Sequence, residues 1–89
     1  MPSTKAQLES LAESLSKFQP KQPVEWPVGK IANALFEEAK KEQPDSAVLN
    51  TIEPFRTGGK FVHGMYAAGV RTVVLQAAEA LPQPAPAIA

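Results

Sequence analysis

The 89 residues carry nine Lys and Arg against nine Asp and Glu, one His and no Cys, for a formal net charge of zero. That length fits one domain, and a domain of this size buries only roughly 60% of its unfolded surface, so an enclosed pocket for a small-molecule substrate is hard to build. Neutrality argues against a dedicated nucleic-acid binder, the absence of Cys excludes disulfides and thiolate metal sites, and no apolar run approaches the roughly 20 residues that span a bilayer. The opening residues, from Met1 to Gln7, lack the apolar core of a secretion signal. A cytoplasmic protein is the expectation.

Leu8, Leu11, Ala12, Leu15 and Phe18 recur at helical spacing and form one apolar stripe, which predicts a first helix over residues 4–18. Thr4 and Gln7 fit a capping box, with Ser3 as the rival cap. Glu13 and Lys17 stand four apart on the polar side, in the favourable order. Residues 19–27 hold three prolines and read as an extended connection. Pro20 and Pro23 have the spacing that aromatic grooves read in proline-rich ligands, a pattern that chance produces easily. Trp26, the only tryptophan, is either a latch onto the core or a partner-binding anchor, since Trp is enriched where binding energy concentrates.

Pro27 suits the first turn of a second helix, expected over residues 27–42, with Val28, Ile31, Ala32, Leu35, Phe36 and Ala39 as its buried stripe. Glu37, Glu38 and Glu42 share their face with lysines and have no histidine beside them, so they read as solvated surface. After Gln43-Pro44, Asp45 or Ser46 caps a short third helix over residues 45–53 that carries Val48, Leu49 and Ile52.

From Pro54 to Leu81 the chain is proline-free after its first residue and has no acid before Glu79. Val62, Met65, Tyr66, Gly69, Val70, Val73, Ala77 and Ala80 fall on one wide face of a helix, which predicts a central fourth helix over residues 59–81. A buried strand over Val70–Leu75 is the rival, since that run is rich in β-branched residues, but a single strand has no obvious partner in the chain. If Thr57 caps the helix, the amides of its first turn, Gly58, Gly59 and the Lys60 ammonium form an anion site. Arg56, Lys60, His63 and Arg71 then complete an anion- or nucleic-acid-binding set, without the spacing of a phosphate-binding loop.

The expected fold class is therefore all-α: a compact four-helix domain over residues 1–81, followed by a flexible Pro- and Ala-rich tail over 82–89. The expected function is a small, non-enzymatic protein–protein interaction module, with a homodimer as one form of it. The alternative is a regulatory nucleic-acid binder resembling a helix-turn-helix in outline, using the basic side of the last helix. No catalytic group, metal, cofactor, membrane contact or small-molecule substrate is expected.

Overall fold

The computed structural model describes residues 3–82. In chain order it contains α1 (Thr4–Ser16), β1 (Pro23–Glu25), α2 (Trp26–Glu42), α3 (Ala47–Thr51), β2 (Thr57–Gly58), β3 (Phe61–Tyr66) and α4 (Ala67–Ala80). The all-α expectation is corrected: the four helices are joined by a three-stranded antiparallel sheet in the order β1–β3–β2. The expected tail lies, beyond Pro82, outside the described residues.

The helical part rests on α1 and α4, which run antiparallel and make the most extensive packing in the molecule. α1 buries Leu8, Ala12 and Leu15, and α4 buries Ala67, Val70, Val74, Ala77 and Ala78. The alanines let the two backbones approach closely, and the valines fill the space between them. Ser3 caps α1, its hydroxyl accepting from the Ala6 amide at 3.1 Å. Thr4 instead donates its hydroxyl to the Glu42 carboxylate at the far end of α2. Lys5 is only 7% exposed, and its ammonium donates to the carbonyls of Ala78 (2.6 Å) and Leu81 (3.1 Å). A cation thus meets the last carbonyls and the negative dipole end of α4, where the Ala78 carbonyl also accepts from the Leu81 amide at 3.2 Å. At the other end of α4, the amides of Ala67 and Ala68 donate to the carbonyls of Gln22 (2.9 Å) and Pro20 (3.1 Å). The proline-rich connection therefore caps α4 with backbone where no side chain does so.

α2 closes the core with Ala32, Leu35, Phe36 and Ala39, and Phe36 meets Phe55 edge-on at 5.5 Å between ring centroids. Ile31, expected in that stripe, is 55% exposed, because α2 turns only its Ala32–Leu35–Phe36 side to the core. Val48 is likewise exposed, while Leu49 and Ile52 are buried. Ser46 caps α3 through the Leu49 amide at 3.2 Å. The Asn33 side chain then holds the chain after α3 in both directions, donating to the Phe55 carbonyl (3.0 Å) and accepting from the Phe55 amide (2.8 Å).

The first third of the expected fourth helix is a hairpin. Gly58 pairs with Phe61, leaving Gly59 and Lys60 as a two-residue loop. Gly59 has φ +87° and no non-glycine described residue has positive φ, which is the II′ pattern that matches strand twist. Gly64, also at positive φ (+75°), sits inside β3. Two such residues in six cannot lie within a right-handed helix. The partner strand comes from the proline-rich connection: β1 sets Pro23 opposite Tyr66 and Glu25 opposite Phe61. Between those pairs β1 advances two residues and β3 five, so β3 bulges at Gly64. The bulge lets Val62 and Met65, three apart, both turn towards the helices, with Val62 buried and Met65 half-buried against Gly69 of α4. Val70–Leu75, the rival strand, is the body of α4.

Candidate functional site

The inner face of the sheet is covered by α2 and α4, with Val24 and Val62 buried beneath it. The outer face is open. Residues directly opposite on antiparallel strands share a face. The register therefore groups Pro23 with Tyr66, Glu25 with Phe61, and Gly58 with Phe61 on the outside. Continued one step, it sets Arg56 opposite His63, whose amide donates to the Arg56 carbonyl at 2.7 Å. Phe61 is 41% and Tyr66 56% exposed.

Two adjoining hollows follow this face, and a third opens beside it at the sheet edge. The first, of about 380 Å³, lies between the Gly59–Lys60 turn, Phe61 and the start of α2 at Trp26 and Pro27. The second, of about 360 Å³, lies over β3 itself, between Pro23, Gly58, Phe61, His63 and Tyr66. The third, of about 420 Å³, is a cleft between the α3–β2 connection, β3 and α4, and Arg56, His63, Met65, Val73 and Gln76 are in its lining. Phe61 joins the first hollow to the second, and His63 and Met65 join the second to the third.

The residues singled out in the sequence are distributed over this surface unevenly. Arg56 and His63 come together at the third hollow, and Gly58 lies beside His63. A Cβ on Gly58 would stand 3.1 Å from the His63 Nδ1, so glycine there leaves room for the imidazole across β2. Gly59 and Lys60 form the hairpin tip next to Trp26. Arg71 stands apart, exposed on the second turn of α4, and lines none of the three hollows. Trp26 is half-buried, packed on the core and facing the hairpin tip, so its ring serves both as latch and as wall. The glycines do not open a helix: α4 begins at Ala67, and its first amides are already taken by Pro20 and Gln22. An anion held by first-turn amides beside Gly58 and Gly59 therefore has no counterpart in the geometry.

Phe61 and Tyr66 are the outward-facing residues missed by the sequence reading, which assigned Tyr66 to the core and Phe61 to no role. The available signal was Gly59 at the head of a two-residue loop between aromatic and β-branched residues. Among the described residues no three His, Cys, Asp or Glu side chains gather as metal ligands, and no helix is long and apolar enough to cross a membrane. The chain matches no protein family model, no curated protein and no solved structure.

Proposed function

We propose that this chain is a non-enzymatic protein–protein interaction module that binds its partner through the open face of the β1–β3–β2 sheet. The observation that carries the reading is the exposure of Phe61 and Tyr66 on one face, beside Pro23, His63 and Arg56. Aromatic residues and Arg are enriched in protein interfaces, where they act as anchors. Balanced charge favours a protein partner over a nucleic acid, whose binders concentrate Lys and Arg on the bound face. Glu25 beside Phe61 supports the same choice. A cytoplasmic setting belongs to this proposal and is supported by the cysteine-free sequence.

The test is site-specific photo-crosslinking in the host cell, with a benzophenone side chain at Tyr66 and, as control, at Glu38 on the solvated side of α2. The expected result is a discrete protein adduct from position 66, abolished by Phe61→Ser and absent from position 38. An adduct of twice the chain mass identifies the partner as a second copy. A nuclease-sensitive adduct, or none, overturns the reading.

A further inference from the structure

The open face and the sequence that follows α4 are complementary in chemistry. Phe61 joins the first hollow, walled by Trp26 and Pro27, to the second, bounded by Pro23 and Tyr66. Three aromatic rings are thus set along two connected hollows. Aromatic-lined grooves of this kind take proline-rich segments, which are extended before they bind and so lose little entropy. Beyond Leu81 this chain itself reads P-Q-P-A-P-A-I-A, with three prolines in five residues, an apolar Ile88 and no charged side chain.

That segment starts at the opposite end of the molecule from the face. Lys5 holds the Leu81 carbonyl, and the adjacent Thr4 bonds Glu42, the last residue of α2. From there the 17 residues of α2 rise about 25 Å back to Trp26. The 14 residues of α4 rise about 21 Å between Leu81 and the end that adjoins Tyr66. Pro84 and Pro86 stand three and five residues past Leu81, a reach of at most about 11 and 18 Å. Both prolines fall short of Tyr66 in their own chain, and further short of Trp26.

We infer that the face receives the proline-rich segment of a second copy of this chain, with Pro84 and Pro86 packed among Tyr66, Phe61 and Trp26. The inference rests on the proposed docking function and names its partner. Two copies with antiparallel long axes set each Leu81 beside the other's sheet, so the contact is made twice and the assembly closes as a dimer. An uncharged segment suits a hollow whose rim carries both signs, Glu25 and Lys60, and the contact should resist salt.

The experiment has two readouts on the full chain. Light scattering at millimolar concentration should give twice the 9.5 kDa chain mass in low and high salt, and the single mass for the double variant Pro84→Ala, Pro86→Ala. That variant, isotope-labelled, is then titrated with the acetylated peptide of residues 82–89. The peptide should shift the Trp26 indole N–H and the amides of Lys60–Tyr66. The same peptide with both prolines replaced by alanine should bind at least about fivefold more weakly, and Phe61→Ser in the labelled chain should weaken the native peptide as much. A monomeric wild type, a dimer that persists in the double variant, or equal binding of the two peptides each overturns the inference. The crosslink from position 66 separates the two levels of the argument. An adduct of twice the chain mass, lost in the double variant, supports both; an adduct of another mass leaves the docking function standing without self-docking; with no adduct, both fall.

Discussion

The α1–α4 pair and the small sheet handle apolar side chains in opposite ways. In the helix pair, Leu8, Val70, Val74 and Ala77 are wholly buried, and even Lys5 is enclosed and used to cap α4. In the sheet, one side is equally dry, with Val24 and Val62 buried, while the other leaves Phe61 and Tyr66 in water. One region therefore supplies stability, and the other spends apolar area on a surface that contributes little to its own folding. The division directs attention to the rings left outside by a register that is otherwise well satisfied.

The sharpest way to break the comparison is in the helix pair. Leu8→Ala leaves a cavity against α4 and should lower the unfolding free energy by about 2–5 kcal/mol, read from the midpoint of urea denaturation. In a small domain whose total is of order 5–15 kcal/mol, that is a large share, and a loss under about 1 kcal/mol would show that α1 does not lie in the core as described. Lys5→Ala comes next. It removes the ammonium from the Ala78 and Leu81 carbonyls, the first of which keeps the Leu81 amide, and should cost about 1–3 kcal/mol, checked by the same denaturation. Gly64→Ala tests the bulge: a Cβ at φ +75° meets no neighbour but forces a left-handed backbone, for about 1–2 kcal/mol. That variant should also disperse the amide shifts of β1 and β3 while leaving α1 and α4 unchanged.

Periodicity found α1 and α2 because the environment of each is one-sided. Leu8, Ala12 and Leu15, and Ala32, Leu35, Phe36 and Ala39, repeat at helical spacing and are the residues buried. The same reasoning overreached at Phe18 and Ile31, where an apolar residue at the right spacing lies beyond the width of the contact and is exposed. It failed in the hairpin for a different reason. Val62, Met65, Tyr66 and Gly69 have helical spacing, yet Val62 and Met65 reach the core through a bulged strand, in which three residues apart also returns to the same side. The partner strand was hidden as well, since the three residues Pro23–Glu25 between prolines read as linker. Of the residues proposed as a basic site, Arg56 and His63 come together because β2 and β3 pair, and Arg71 does not join them because α4 starts only at Ala67, four residues after His63, so the two share no helical face.

The smallest expected change in stability separates the two regions most cleanly. Tyr66 is the last residue of β3 and also the cap residue of α4, with φ −109° and ψ 176° but no side-chain hydrogen bond to the helix. A serine at that position adopts the same backbone and places a hydroxyl within reach of the Gly69 amide, since those of Ala67 and Ala68 already donate to Gln22 and Pro20. Tyr66→Ser should therefore raise the unfolding free energy by about 0.5–1 kcal/mol, because a capping residue replaces a non-capping one and the lost ring was 56% exposed. The same substitution removes one of the two aromatic anchors of the open face. With the photo-crosslinker moved to Phe61, the partner adduct should fall at least several-fold while the thermal midpoint rises. A variant that becomes more stable and still captures its partner in full would mean that the exposed ring is ordinary surface; one that becomes more stable and stops binding places function in the half of the sheet that folding does not need.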